Sequence, residues 1–139
     1  MPQRSNEYLV DSDVLIEHLT FKSHDKDSYL EKLMQNGICF STVLNASELL
    51  FSANSFLEEK IIIDLLSSLK ILGLHSRYSL LIPKYRNKVK NMNDALTCVV
   101  ADYNKLPIIT LNKNKFSKSN LTVYHPLELD LKKKQSVDN

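Results

Sequence analysis

At 139 residues and a net charge of +2, the chain is sized for one domain around a single core, and its 43% hydrophobic and 24% charged residues are an ordinary globular balance. No apolar run approaches the roughly 18–20 residues that span a bilayer, and the opening MPQRSNEYLVDSDV lacks a signal peptide's long apolar stretch. The two glycines, Gly37 and Gly73, stand alone as turn or helix-end positions, so the clustered glycines of P-loop and dinucleotide sites are missing and no nucleotide cofactor is expected.

In chain order, Tyr8-Leu9-Val10 reads as a strand and Val14 to Leu19 as the start of a helix. Asp25 to Met34 carries Tyr29, Leu30, Leu33 and Met34 at the spacing of one helical face. Ile38-Cys39-Phe40 is a second strand, followed by Ser41 or Thr42 as N-cap of a helix through Phe51. A third amphipathic helix spans Phe56 to Leu69, and a short strand spans Ile71 to Leu74. Asp94 to Tyr103 is apolar almost all round and predicts a buried helix; Pro107 introduces the strand Ile108-Ile109-Thr110, and Leu121 to Tyr124 supplies the last strand. This alternation predicts an α/β fold whose mainly parallel sheet of four to five strands is covered on both faces, with its site beyond the carboxyl ends of the strands. Cys39 and Cys98 lie in apolar company and are expected as buried free thiols in a reducing, cytoplasmic setting.

Asp11 directly follows the first strand, Glu48 sits two turns into the helix after the second, Asp94 opens the buried helix, and Asn112 lies just past the fourth strand. A parallel sheet brings these positions to one edge. Asp11, Asp13 and Asp94 are also ordinary helix-capping residues, whereas Glu48 interrupts a helix that reads as core, where an unpartnered carboxylate is costly. Carboxylates crowded together repel and call for a cation; Mg²⁺ or Mn²⁺ there activates water and stabilises the oxygens of a phosphoryl displacement. Removing any one of the three acids is expected to relieve repulsion and leave the fold intact.

Charge is divided along the chain: Met1 to Asp64 holds 11 acids and 5 Lys/Arg, whereas Leu65 to Asn139 holds 5 acids and 13 Lys/Arg. Within the basic half, Arg77, Lys84, Arg86, Lys88 and Lys90 run without an acid and interleave with Tyr78 and Tyr85; Lys113, Lys115 and Lys118 follow Asn112. The pattern fits either a solvated face or a phosphate-tracking surface with tyrosines available to stack on bases. His18, His24, His75 and His125 show no metal-ligand spacing. Residues 1–131 are expected to form one domain, and 132–139, with Lys132, Lys133 and Lys134, a flexible basic and polar tail.

Four segments taken together resemble the PIN domain family, and particularly its VapC-type toxins. They are Leu9-Val10-Asp11-Ser12-Asp13-Val14, Ser41-Thr42 leading to Glu48-Leu49, Asn93-Asp94-Ala95-Leu96, and Thr110-Leu111-Asn112 through Phe116. The resemblance runs from Tyr8 to about Tyr124. It implies a three-layer α/β/α fold and catalytic, metal-holding roles for Asp11, Glu48 and Asp94. Asn112 would be a fourth metal-site residue where many members carry an acid, and Ser12, Asp13 and Thr110 would orient the carboxylates. It further implies a Mg²⁺- or Mn²⁺-dependent endoribonuclease acting on structured RNA such as transfer or ribosomal RNA, working as a homodimer and inhibited by a cognate antitoxin. Arg77, Lys84, Arg86, Lys88, Lys113 and Lys115 are its candidate RNA-binding residues. Two alternatives are a PIN-like RNA-binding scaffold with a weakened site, and a haloacid-dehalogenase-like phosphatase suggested by Asp11-Ser12-Asp13.

Overall fold

The computed structural model describes residues 6–129; the expected tail at 132–139 lies outside the described residues. Five strands, β1 (Asn6–Val10), β2 (Gly37–Thr42), β3 (Lys70–Leu72), β4 (Ile108–Ile109) and β5 (Val123–Tyr124), form one sheet in the order β3-β2-β1-β4-β5. Every neighbouring pair is parallel. The connections carry helices α1 (Ser12–Thr20), α2 (Tyr29–Asn36), α3 (Val43–Phe51), α4 (Phe56–Ser67), α5 (Tyr78–Leu81) and α6 (Met92–Asn104). The expected mainly parallel α/β architecture is the one observed.

Alternation along β1 divides the core into two. Tyr8 and Val10 pack with Val14 and Leu15 of α1, Leu30 and Leu33 of α2, Leu49 of α3 and Ile62 and Leu65 of α4. Leu9 points the other way, onto Cys98, Val99 and Val100 of α6, together with Tyr85 and Phe116. Successive strand residues face opposite sides of a sheet, so burial on both faces makes three layers. Because α6 is buried on most of its circumference, its sequence lacks a polar stripe: Asp94, Ala95 and Thr97 through Ala101 are all buried. Cys39 and Cys98 are free and buried, and burial pushes both thiols up to about 12. Among the described residues no helix is long and apolar enough to cross a membrane.

Element ends depart from the expected ones where side chains cap the backbone. Helix α1 begins at Ser12, two residues early, because Asp11 is its N-cap. Helix α2 begins at Tyr29 rather than Asp25: the Ser28 hydroxyl accepts from the Glu31 N–H at 3.2 Å, and Glu31 accepts from the Ser28 N–H at 3.3 Å, a reciprocal capping box. Thr42, not Ser41, caps α3, accepting from the Asn45 N–H at 3.1 Å. Helix α4 stops at Ser67, where the Ser67 and Ser68 hydroxyls each donate at 2.6 Å to carbonyls of the preceding turn. Helix α5 and the 3₁₀ turn Ile82–Tyr85 occupy the basic stretch between Arg77 and Lys90. Tyr78 of α5 and Tyr85 of the 3₁₀ turn are both buried, so neither ring is offered for base stacking.

Gly37 is the C-cap of α2 and the first residue of β2, in extended rather than left-handed backbone. Its need for hydrogen is one of space, since an alanine Cβ there would come within 2.2 Å of the Asn6 carbonyl oxygen on β1. Around Gly73 nothing lies within 4 Å of such an atom. Gly37→Ala is therefore expected to destabilise the protein by about 1–3 kcal/mol through forced separation of β1 and β2. Gly73→Ala should be neutral or stabilising by up to about 1 kcal/mol. Paired urea denaturation curves measure the contrast.

Candidate functional site

In a parallel sheet the carboxyl ends of adjacent strands open on the same edge. β1 delivers Asp11 there and β4 delivers Thr110, and the two strands stay paired to the last residue, the Asp11 N–H donating to the Ile109 carbonyl at 2.9 Å. Asp11 is 3% exposed and caps α1, its Oδ1 accepting from the Ser12 N–H at 3.0 Å. The Thr110 hydroxyl stands 3.0 Å from Asp11 Oδ2 and 2.9 Å from Asp13 Oδ2, and accepts from the Asn112 N–H at 3.2 Å. Asp13 Oδ2 also accepts from the Leu111 N–H at 3.0 Å, whereas Oδ1 is buried without a hydrogen-bond partner. Ser12, Asp13 and Thr110 thus lie together around Asp11, tying the start of α1 to the exit of β4.

Asp94 arrives from the other side of the sheet. It lies in the first turn of α6, where Asn91 caps the helix by accepting from the Asp94 N–H at 2.8 Å. Asp94 is 7% exposed. Between it and Asp11 stands Lys115, at the second-last position of the 3₁₀ turn Lys113–Phe116: its Nζ is 2.6 Å from Asp11 Oδ2 and 3.8 Å from Asp94 Oδ1. Burial acts to lower the Lys115 pKa, but the hydrogen bond and charge of Asp11, with the charges of Asp94 and Asp13, outweigh it and hold the ammonium above its usual range. Burial raises the Asp94 carboxyl, against Lys115, and the Asp11 charge raises it further. Burial and Asp11 together also hold Asp13 above the ordinary carboxylate range.

Glu48 stands differently from its expectation. It is exposed on α3 rather than buried in the core, and its Oε1 accepts from Asn93 Nδ2 at 3.0 Å, next to Asp94 in the chain. Among the described residues no three carboxylate, imidazole or thiol side chains converge closely enough to hold one ion. Asp11 and Asp94 are brought together and Glu48 is at the rim.

A cavity of about 410 Å³ opens beside Asp94 and Lys115, with Asn112, Lys88, Lys90 and Lys118 among its walls. Of the six basic residues named as RNA-binding candidates, Lys88 and Lys115 face it. Lys84 is paired with Asp102 at 2.9 Å and Lys113 with Glu128 at 2.7 Å, so their charges are already compensated; Arg77 and Arg86 are exposed and line no part of this cavity. Lys115 as partner of the acids was not legible as such: nothing in a Lys-Asn-Lys-Phe segment says which lysine turns inward. The available signal is adjacency to Phe116, which is 1% exposed and anchors the turn.

The PIN domain family model matches residues 8–119. No curated protein matches the chain. Among solved structures, VapBC-1 from nontypeable Haemophilus influenzae is similar with a TM-score of 0.71 at 17% identity, over 87% of this chain and 98% of that one. VapBC2 from Rickettsia felis, solved with a DNA fragment from its promoter, has a TM-score of 0.71 at 17% identity over 86% and 98%. A toxin-antitoxin complex from Klebsiella pneumoniae has a TM-score of 0.69 at 18% identity over 86% and 97%.

The geometry separates the two central acids. Asp11 accepts from the Ser12 N–H and the Lys115 ammonium and shares the single Thr110 proton with Asp13, so its removal strands the first two donors rather than relieving repulsion, contrary to the expectation for all three acids. Asp11→Ala is expected to cost about 2–4 kcal/mol. Asp94→Asn should be no less stable than wild type at pH 7 in EDTA. A carboxyl with a raised folded pKa destabilises the fold while it is ionised, and that penalty fades as both states become protonated. The advantage of Asp94→Asn should therefore shrink as pH falls toward the ordinary value of 3.8. Melts from pH 7 to pH 4 measure both effects.

Proposed function

This chain belongs to the PIN domain family, and we propose that it is a metal-dependent endoribonuclease of the VapC toxin type, cleaving structured RNA such as transfer or ribosomal RNA. The observation that carries the reading is the meeting of two buried carboxylates from opposite layers, Asp11 and Asp94, beside a lysine-lined cavity. The family match from 8 to 119 leaves no support for the phosphatase alternative.

The donor set fits Mg²⁺ or Mn²⁺, hard cations satisfied by one or two carboxylates with water filling the remaining positions. Asp11 and Asp94 would hold the ion, and a cationic group of the chain already stands between them. When bound, such an ion lowers the pKa of water and stabilises charge on the phosphate oxygens. Thr110 keeps the Asp11 carboxylate oriented and Asp13 holds the same hydroxyl in place, while Glu48 acts at the rim through Asn93, and Asn112 faces the same cavity. Lys88, Lys90 and Lys118 draw the phosphate backbone toward Asp94.

An antitoxin partner is supported by an uncovered apolar groove of about 380 Å³ between α1, α3 and α4, lined by Ile16, Leu19, Leu49, Ile61 and Ile62. Phe51 and Phe56 beside it are 93% and 83% exposed. A patch of this kind marks a protein-binding surface. The buried free thiols support a reducing, cytoplasmic setting, and the homodimer is carried over from the family resemblance.

Incubation of the purified protein with total RNA should give cleavage with Mg²⁺ or Mn²⁺ and none with EDTA. Asp11→Asn and Asp94→Ala should each lose about a hundredfold or more of the rate, and Glu48→Gln about 10–100-fold. RNA binding without metal-dependent cleavage would favour the scaffold reading instead. Replacing Lys88, Lys90 and Lys118 with Gln should reduce the slope of log affinity against log salt by about 2–3. An unchanged slope would show that RNA enters elsewhere.

A further inference from the structure

Lys115 is the least ordinary group of the site. Its Nζ occupies the position between two buried carboxylates, 2.6 Å from Asp11 and 3.8 Å from Asp94, with only 27% of its side chain exposed. A lysine elsewhere on the surface would remain hydrated on a flexible stem. Here two acids from different layers need a positive charge, and the chain supplies one.

We propose that Lys115 is a tethered cation that occupies the Asp11–Asp94 position when no metal is bound and has to leave for a divalent ion to enter, so that lysine and metal exclude each other. The proposal rests on the metal-dependent reading above. Asp11 Oδ2 already accepts the Lys115 ammonium at 2.6 Å and shares the Thr110 hydroxyl with Asp13, so an ion at bonding distance would compete with the ammonium for it. A divalent ion beside the ammonium would also meet a like charge in a partly desolvated site, where screening is weak. Exit is available, because Lys115 forms part of the wall of the cavity that holds Lys88, Lys90 and Lys118. A displaced ammonium joins that basic wall, turning from the carboxylates toward the phosphate backbone of a substrate. Metal entry thus frees the charge of the fourth lysine lining the cavity for the RNA-facing surface.

The consequence is a weakened apparent metal affinity, since only the lysine-free fraction of molecules is competent to bind. Calorimetric Mn²⁺ titration of the full chain tests it. Lys115→Met keeps the aliphatic stem without the charge and should bind Mn²⁺ about tenfold tighter or more, whereas Lys115→Arg should stay within about threefold of wild type. A merely structural lysine would lower the melting temperature of the Met variant in EDTA without tightening Mn²⁺. In wild type, NMR of the Lys115 ammonium should show slowed proton exchange in EDTA that is lost on adding Mg²⁺; this measurement needs no variant to fold. Mn²⁺ affinity in Lys115→Met no tighter than wild type, including no binding by either, overturns the proposal, as does an ammonium signal that persists through the Mg²⁺ titration. Assaying RNA hydrolysis on the same samples keeps the two readings apart: tighter Mn²⁺ in Lys115→Met with no hydrolysis by the wild type supports the exclusion and overturns the ribonuclease reading alone.

Discussion

Two carboxylates buried side by side require a positive charge between them, and the site follows from how the fold meets that requirement. Asp11 and Asp94 are 3% and 7% exposed, so water screens their repulsion poorly. The parallel sheet creates the problem by delivering Asp11 from β1 and, through the crossover, Asp94 from α6 to one edge. The turn after β4 answers it with Lys115. Burial, with the Asp11 charge adding to it, raises the Asp94 and Asp13 carboxyls against Lys115, and the same acids hold the Lys115 ammonium up against its own burial.

The fold was legible because each element obeys a single local rule. Continuous apolar runs such as Tyr8-Leu9-Val10 and Ile108-Ile109 belong to a sheet buried on both faces, and the unbroken apolar character of α6 belongs to a helix with hardly any exposed side. Boundaries were less legible because they depend on particular side-chain bonds. Ser28 and Glu31 start α2 where their capping box closes, inside a segment whose periodicity already looked helical.

The site was legible as a set of acids and less so as an arrangement. Asp11 and Asp94 follow from topology, since each sits at a strand end or helix start that a parallel sheet aligns. The apolar neighbours Leu49 and Leu50 suggest a buried Glu48, but helical rotation turns it outward to Asn93. The basic residues were harder still. Lys84 and Lys113 resemble Lys88 in sequence, yet they differ in having acids within reach, Asp102 and Glu128, which are 18 and 15 residues away along the chain. No short-range pattern records such partners.

The segment from Thr110 to Phe116 shows how the core dictates the site's charge. Thr110 is fixed at one end by its N–H to the Tyr124 carbonyl at 3.0 Å, and its hydroxyl bridges Asp11 and Asp13. Phe116 is fixed at the other end by burial against the layer that holds α6. Between two anchors a single 3₁₀ turn has little backbone freedom, so the residue preceding Phe116 starts its side chain within reach of both the acids and the cavity. The Lys115 ammonium also lies 5.3 Å from the Phe116 ring centre, a contact that favours the inward position. The identity of residue 115 therefore sets whether this turn adds to the negative charge of the edge or cancels it. In this chain a single ammonium offsets part of it, and the same packing that stabilises the domain fixes the turn that carries the cation.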